Sequence, residues 1–293
     1  MSRIAYVNGR YVPHRQAMVH IEDRGFQFAD AVYEVCEVRN GRLIDEAAHL
    51  ARLRRSLSEL RMAEPMSLPA LGVLLREIIK RNRIVDGIVY VQVTRGVAPR
   101  RHAFPPPDTK PGLVLTAHAI DRDGGEQRSR DGVSVVTLPD NRWGRVDIKT
   151  VGLLPNALAR QSAIEAGSFE ALFVDRDGFI TEGAATNVWI VTEDGTLITR
   201  PADHGILRGI TRGTILRIAE SEGIKTKERR FTVDEACHAR EVFLTGSSVV
   251  VMPVVRIDDK PVGNGRPGPV ATRLRAIFHD NAQIATLWSS FAP

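Results

Sequence analysis

One lysine, in the segment RWGRVDIKTVGLLPNALARQ (residues 142–161), has a setting that suits covalent chemistry. The chain has six lysines against 34 arginines, and Lys149 alone is followed by an apolar run. A lysine amine that is partly shielded from water can attack an aldehyde and form an imine. The alternative is a surface lysine whose stem covers apolar neighbours, and for this position taken alone that is the commoner case.

Two further segments supply groups that an aldehyde cofactor with a ring nitrogen and a phosphate needs. Glu182, in FITEGAATNVW, ends a predicted strand just past a tight turn, where its carboxylate can pair with a protonated ring nitrogen. The segment LRGITRGT leads into a helix whose first N–H groups, at Ile210 and Thr211, suit a phosphate, and Gly209 permits close approach. An exposed turn glutamate and an ordinary glycine turn remain the alternatives. The combination points to pyridoxal phosphate.

Positive charge near these segments adds candidates for binding anions. Arg52 on a predicted helix and the hydroxyls of LTGSS at a strand end could add to a phosphate site. The loop PRRHAFPPP carries Arg100, Arg101 and His102 on a proline-stiffened backbone, and a guanidinium binds a carboxylate through two parallel hydrogen bonds. The alternatives are a solvated helix arginine and a surface loop with incidental charge.

Several other classes of site lack their motifs. The eight histidines show no H-E-x-x-H spacing, so no metal site is predicted. No Walker-type loop and no G-x-G-x-x-G after a strand occur either. The net charge of +5 raises the question of nucleic acid, but the basic residues are interleaved with 35 acidic ones and no basic–aromatic cluster appears. We therefore expect no nucleic-acid partner.

Features of the sequence also predict where in the cell the protein is found. The start, MSRIAYVNGRYV, alternates like a strand and does not resemble a signal peptide. The most apolar stretches are too short to span a bilayer, so no membrane partner is expected. Two cysteines form no disulfide framework. A cytoplasmic location is the prediction.

The elements that must position these residues alternate between strands and helices. Hairpin turns are predicted at Asn8-Gly9 and Asn40-Gly41, and leucine spacing predicts helices over 46–62 and 68–82. Strands follow at 87–96 and 112–120, and later segments read as strand 133–138, helix 155–167, two hairpins with Asp-Gly turns, a helix after Gly209 and strand 241–246. The polar stretch DRDGGEQRSRD favours a domain boundary. The prediction is an α+β chain with a small domain at 1–120, a linker at 121–131 and a larger domain at 132–293.

Six motifs occur in the order found in a known family: EDRGFQFADAVYEV, QVTRGVAPRRHAFP, RWGRVDIKTVGLLPNALARQ, TEGAATNVW, GILRGITR and EVFLTGSS. From about residue 6 to 256 the chain resembles the fold-type IV pyridoxal phosphate enzymes, and among them the D-amino acid aminotransferases. The resemblance implies a two-domain architecture with the cofactor in the interdomain cleft. It also implies a homodimer in which the PR-x-H loop comes from the partner subunit.

The resemblance also implies roles for individual residues. Lys149 would form the internal aldimine and shuttle the α-proton, and Glu182 would pair with the pyridinium nitrogen. The remaining implied cofactor contacts are Arg52, Leu207, Gly209, Ile210, Thr211 and Ser247. The implied substrate contacts are Tyr33, Val35, Arg100 and His102.

The implied reaction transfers the amino group of D-amino acids to 2-oxo acids, because the R-x-H pair is typical of enzymes for that enantiomer. The alternatives within the fold are a branched-chain L-amino acid aminotransferase, an (R)-selective amine transaminase and, more remotely, an aminodeoxychorismate lyase. A non-catalytic basic binding protein is the alternative from another class.

Three features depart from the family pattern. In FADA, Ala29 and Ala31 replace glycines beside the aspartate, and both are expected to fit without a positive φ. Gly246 and the apolar run after it replace a more polar segment near the phosphate. Arg101 adds a charge to the carboxylate loop.

Overall fold

The computed structural model describes residues 3–284 of the chain. The helices are α1 (Arg24–Phe28), α2 (Glu46–Glu59), α3 (Leu68–Asn82), α4 (Arg122–Asp131), α5 (Leu154–Glu165), α6 (Ile210–Ser221), α7 (Val233–Cys237) and α8 (Pro269–Asn281), with a 3₁₀ turn at His14–Gln16. The first six strands are β1 (Ile4–Val7), β2 (Arg10–Pro13), β3 (Ala31–Arg39), β4 (Arg42–Leu43), β5 (Gly87–Thr94) and β6 (Gly112–Ala119). The others are β7 (Val133–Pro139), β8 (Glu170–Val174), β9 (Ile180–Gly183), β10 (Asn187–Val191), β11 (Leu197–Thr199), β12 (Thr226–Glu228), β13 (Glu241–Gly246), β14 (Val250–Ile257) and β15 (Lys260–Pro261).

The first compact unit contains residues 3–121, Ile148–Gly152 and residues 283–284 of the described chain. Its strands form an antiparallel sheet in the order β2-β1-β6-β5-β3-β4. The loops at Asn8-Gly9 and Asn40-Gly41 have positive φ at both residues, as two-residue hairpins require. Both predicted hairpins are confirmed.

Alternation along the strands separates the two faces of this sheet. Val32, Cys36 and Val38 of β3 are fully buried with the apolar residues of α2 and α3. The helix predicted over 68–82 is confirmed as α3, which begins at a Ser67 cap with a proline in its first turn. The opposite face of the sheet stays half-buried, which leaves it free to line a site.

The second unit contains residues 122–147 and 153–282. Its sheet runs β12-β11-β10-β13-β14-β7-β8-β9, with β15 paired to β14, and it mixes parallel and antiparallel pairs. The hairpins β8–β9 and β10–β11 are confirmed. Its core contains Phe231, Leu244 and Met252. With helices and a sheet in each unit, the α+β class is confirmed.

The boundary between the units differs from the predicted linker. Residues 121–131 were expected to join the domains, but α4 occupies this stretch from Arg122 and belongs to the second unit. The guanidinium of Arg275 on α8 binds Glu126 of α4 at 2.9 Å, which gives this polar helix a partner that local sequence does not reveal. The segment Ile148–Gly152 belongs to the first unit, although it falls inside the predicted domain at 132–293.

One expectation about the backbone is wrong. Ala29 ends α1 in the left-handed conformation with φ +55°, whereas a conformation without positive φ was expected. Its N–H closes the helix by donating to the carbonyl of Arg24, so the helix end requires this geometry. Ala31 lies in β3 and fits the expectation.

Candidate active site

Lys149 is held against the first strand of the site by backbone hydrogen bonds. The N–H of Tyr33 donates to the carbonyl of Lys149 at 3.0 Å, and the N–H of Val151 donates to Ala31 at 3.1 Å. This bridge attaches the segment to the beginning of β3. It lies along the same edge of β3 that pairs with β4 near the other end of the strand. As a result, Nζ of Lys149 lies 4.2 Å from the centre of the Tyr33 ring.

Tyr33, which the Lys149 side chain contacts, belongs to the half-buried face of the first sheet. Tyr33 is opposite Gln92 and Val35 is opposite Tyr90, so the four side chains share one face. The predicted substrate residues Tyr33 and Val35 are thus neighbours on the strand that holds Lys149. Tyr90 and Gln92 were missed by sequence reasoning, although the alternation of β5 could have indicated them.

Tyr90 adds a polar group to this face. Its hydroxyl donates to Oε1 of Gln92 at 2.7 Å, and its ring lies 5.5 Å from that of Tyr33. Burial, with a smaller contribution from Tyr33, raises the pKa of Tyr90 to about 12. Tyr90 is therefore a hydrogen-bond donor throughout the physiological pH range.

Arg52 forms an ion pair inside the first unit. Its Nε and Nη2 donate to the two carboxylate oxygens of Glu34 at 2.7 and 2.8 Å, and His49 Nδ1 lies 2.8 Å from the same carboxylate. Burial raises the pKa of Glu34, but Arg52 and His49 together lower it to about 2. The guanidinium is thus fixed in place, and two of its donors are engaged by Glu34. Sequence reasoning did not identify Glu34 or His49.

The loop with the predicted carboxylate-binding residues packs around one aromatic ring. The guanidinium of Arg100 lies 5.1 Å from the centre of the Phe28 ring, and the His102 ring lies 5.7 Å from it. Arg100 and His102 are both exposed on the surface of the first unit. The structure therefore brings the two residues together at α1.

In the second unit, Glu182 is a buried carboxylate held by three donors. The backbone N–H of Leu207 and Nδ2 of Asn187 each donate to Oε2 at 3.0 Å, and Nη1 of Arg142 donates to Oε1 at 2.5 Å. Donors on both oxygens favour the ionised form. This is the form that pairs with a protonated ring nitrogen.

Arg142 connects Glu182 to a second carboxylate. Its Nη2 donates to Oδ2 of Asp140 at 2.7 Å, and the guanidinium lies 4.4 Å from the centre of the Phe173 ring. Burial raises the pKa of Asp140, but the hydrogen bonds and charge of Arg142 outweigh it and hold that pKa below its ordinary value. The segment RWGR contained Arg142, yet its composition gave no sign of this contact.

The loop before α6 is bound to the same group. Asn187 donates to the carbonyl of Leu207 as well as to Glu182, and a Cβ on Gly209 would lie 2.0 Å from Oδ1 of Asn187. Gly209 is the N-cap residue and supplies no side-chain cap, so the first N–H groups of α6, at Ile210 and Thr211, suit an anion. Leu207, Gly209, Ile210 and Thr211 are therefore gathered beside Glu182.

Ser247 follows the strand that pairs with Asn187. Asn187 is opposite Thr245 on β13, and Ser247 begins the turn between β13 and β14. Gly246 lies against the loop that follows Glu182, since a Cβ there would be 3.3 Å from the carbonyl of Ala185. Ser247 is thus at the same end of the sheet as the Glu182 group.

These groups fit the needs of pyridoxal phosphate. Lys149 supplies an amine beside an aromatic face, Glu182 supplies a buried carboxylate held by N–H donors, and α6 supplies a helix N-terminus without a side-chain cap. Within residues 3–284, no group of three or more His, Cys, Asp or Glu could hold a metal ion. In the same range no helix combines the length and the apolar character needed to cross a membrane.

Known proteins share this chain's sequence and fold. The model of the amino-transferase class IV family matches residues 31–257. The chain is 39% identical over 274 residues to the D-alanine aminotransferase of Staphylococcus haemolyticus, covering 94% of this chain and 96% of that protein. It is 38% identical over 276 residues to the D-alanine aminotransferase of Bacillus licheniformis, covering 94% and 95%. The structure of a T.th. branched-chain amino acid aminotransferase with pyridoxamine 5'-phosphate superimposes with a TM-score of 0.87 and 28% identity, covering 96% and 94% of the two chains.

Proposed function

Because the chain belongs to the amino-transferase class IV family and is a pyridoxal phosphate-dependent aminotransferase, we propose that it transfers amino groups from D-amino acids to 2-oxo acids. The observation that carries the choice of substrate is the 39% identity to a D-alanine aminotransferase over 94% of the chain. The R-x-H loop supports the same choice. D-Alanine with 2-oxoglutarate, giving pyruvate and D-glutamate, is the type reaction.

Lys149 is the proposed attachment point and proton carrier. When bound, pyridoxal phosphate supplies an aldehyde and an electron-withdrawing ring that stabilises negative charge at the substrate Cα. Nζ of Lys149 would hold the aldehyde carbon and, once displaced by substrate, would take the proton from Cα as general base. The backbone bridge to β3 holds the segment that carries this amine beside Tyr33.

Glu182 is the proposed partner of the ring nitrogen. A carboxylate at this position keeps the nitrogen protonated, and the donors from Leu207, Asn187 and Arg142 keep the carboxylate ionised. The proposed phosphate contacts are Gly209, Ile210 and Thr211 at the start of α6, Ser247 in the following turn, and Arg52. Leu207 would lie against the ring.

The substrate carboxylate is assigned to Tyr33, Arg100 and His102, and Val35 would shape the pocket for the side chain. A guanidinium provides paired donors with the geometry of a carboxylate, and the tyrosine hydroxyl adds another donor. Fixing the carboxylate on one side of the cofactor selects one enantiomer, because the Cα–H bond must point toward Lys149.

We also propose a homodimer in which the loop carrying Arg100 completes the site of the partner subunit. Three large apolar residues that lie close together in sequence are strongly exposed on the first unit: Met18 at 80%, Ile21 at 74% and Phe26 at 72%. A contiguous exposed apolar patch marks an interaction surface, and we propose that these three residues contribute to one. A cytoplasmic location stays a prediction.

A half-reaction panel tests the proposed substrate. D-Alanine should convert the bound cofactor to its aminated form and remove the yellow absorbance, whereas L-leucine, L-alanine and (R)-1-phenylethylamine should leave it. Bleaching by L-leucine alone would replace the proposal with a branched-chain aminotransferase. Bleaching by the amine alone would replace it with an amine transaminase. Pyruvate release from aminodeoxychorismate, without bleaching by any of the four, would indicate a lyase.

A further inference from the structure

Arg24, at the start of α1, is a buried guanidinium that binds the backbone of the R-x-H loop. Its Nη1 donates to the carbonyl of Arg101 at 2.7 Å and, at 3.4 Å, to that of Ala103. Only 4% of the Arg24 side chain is exposed, whereas Arg101 and Ala103 are exposed residues. An exposed loop is therefore tied to a buried group.

The two carbonyls alternate with the two side chains that are assigned to the substrate. Arg24 binds the carbonyls of residues 101 and 103, while Arg100 and His102 pack around the ring of Phe28. Phe28 is on the same short helix as Arg24, and the Arg24 guanidinium lies 4.7 Å from the centre of its ring. Helix α1 thus contacts both the backbone of the loop and the side chains of the loop.

Asp30 fixes the direction of Arg24. Its Oδ2 accepts from Nε of Arg24 at 2.8 Å and from Nε of Arg95 at 2.7 Å. Arg95 in turn donates to the carbonyl of Leu60 at 2.8 Å and lies 3.8 Å from the centre of the Phe104 ring. The loop is therefore anchored at its middle by Arg24 and at its end by Arg95, with one carboxylate shared between the two anchors.

We propose that Arg24 is a positioning residue that sets the placement of Arg100 and His102 and thereby the affinity for the substrate carboxylate. This inference rests on the proposed function, in which those two residues bind that carboxylate. A guanidinium suits the task because its fork of donors reaches Asp30 and the loop carbonyls at once. A lysine has a single charged nitrogen on a flexible stem and cannot hold all of these acceptors in the same geometry.

The test is Arg24→Lys, with Arg54→Lys as the matched control. Arg54 is an exposed arginine on α2 whose Nε donates to Glu64, and it is distant in sequence from the loop and from α1. For Arg24→Lys, KM for D-alanine should rise about tenfold while kcat changes by less than about threefold. The reaction of the bound cofactor with methoxyamine, which has no carboxylate, should keep its rate.

Limited proteolysis reports on the loop without any turnover. Trypsin cleaves after Arg100 and Arg101, and a cleavage site must leave its folded conformation to enter the protease. Cleavage at these two residues, identified by mass, should be faster in Arg24→Lys than in wild type or Arg54→Lys. The melting temperature should fall by no more than a few degrees.

Two outcomes would overturn the proposal. One is a KM for D-alanine and a rate of loop cleavage in Arg24→Lys that both match those of Arg54→Lys. The other is a parallel loss of kcat, methoxyamine reactivity and melting temperature, which would reveal a general structural role. If Arg24→Lys does not fold, Asp30→Asn replaces it, since weakening the shared anchor should give the same pattern. If wild-type enzyme does not react with D-alanine, the proposed function fails, and the proteolysis still decides whether Arg24 anchors the loop.

Discussion

At the scale of single residues, Glu34 shows how the sheet fixes a charge next to the site. It follows Tyr33 on β3 and therefore points to the opposite, fully buried face, where it binds Arg52 and His49. The pKa of this carboxyl is lowered from its ordinary 4.5 to about 2. Its ionised form stabilises the fold, and that contribution is complete above pH 4.5 and is lost as the pH falls through about 2.

Replacing this carboxylate should destabilise the protein in a pH-dependent way. Glu34→Gln leaves the buried charge of Arg52 without its counter-ion, so we expect a loss of about 3 kcal/mol in the free energy of unfolding at pH 7. The loss should be smaller by about 1 kcal/mol at pH 3.5, because wild type has by then lost part of its advantage. Urea unfolding at the two pH values measures both numbers.

The control for that measurement is Glu77→Gln. Glu77 forms an exposed pair with Arg81 on α3, so its replacement should cost less than about 1 kcal/mol. A Glu34 variant that matches this control, or whose loss grows as the pH falls, would contradict the account of the buried pair.

The sequence revealed some of these residues and concealed others. Lys149 stood out through its isolation among many arginines, and Glu182 through its place after a turn. Arg142, Glu34 and Arg24 did not stand out, because an arginine or a glutamate in a sequence is usually solvated. Their partners come from other elements, as with Asp30 and Arg24 or Glu182 and Arg142, and only the folded chain brings such residues together.

At the scale of elements, the start of α6 depends on a missing side chain. A Cβ on Gly209 would meet the side chain of Asn187, which is bonded to Glu182 and Leu207 and cannot move without breaking those bonds. Gly209→Ala should therefore weaken cofactor binding about tenfold or more, measured by titrating the apoenzyme with pyridoxal phosphate.

Gly213→Ala is the matched control on the same helix. A Cβ at Gly213 meets no heavy atom within 4 Å, and alanine is the better helix former. This variant should bind the cofactor normally and gain about 0.5–1 kcal/mol in the free energy of unfolding. Equal cofactor affinity in the two variants would contradict the role of the Gly209 contact.

Local patterns predicted an element well where the signals that decide its structure lie within or beside its own residues. Helix α3 has its serine cap, its proline and its leucine spacing within its own residues, and its predicted bounds agree with the structure. The stretch that forms α4 contains two glycines and few apolar residues, so it was predicted as a linker. Its contact with Arg275 crosses more than a hundred residues, and no local pattern contains that information.

At the scale of the whole molecule, the proposed dimer predicts that two inactive variants restore each other. Lys149→Ala removes the proposed attachment point, and the double variant Arg100→Ala with His102→Ala removes the proposed carboxylate contacts. If the loop acts in the partner's site, unfolding and refolding the two variants together should restore about a quarter of wild-type activity. Half of randomly paired dimers are mixed, and each mixed dimer has one intact site.

The outcome depends on where the loop acts. A loop that serves its own subunit would leave both sites of a mixed dimer defective, so no activity would return. Refolding each variant alone is the control, and light scattering should give twice the mass of a 32.4 kDa chain for every sample. A monomeric wild-type enzyme would contradict the proposed assembly.

The most direct test of the central claim is to locate the cofactor's attachment by mass. Borohydride reduction of the enzyme, followed by trypsin, should place the cofactor on the peptide spanning residues 146–160, because a modified Lys149 resists cleavage and Arg145 and Arg160 remain as the ends. The Lys149→Ala variant should incorporate none. Cofactor found on any of the other five lysines, or on no peptide at all, would contradict the account.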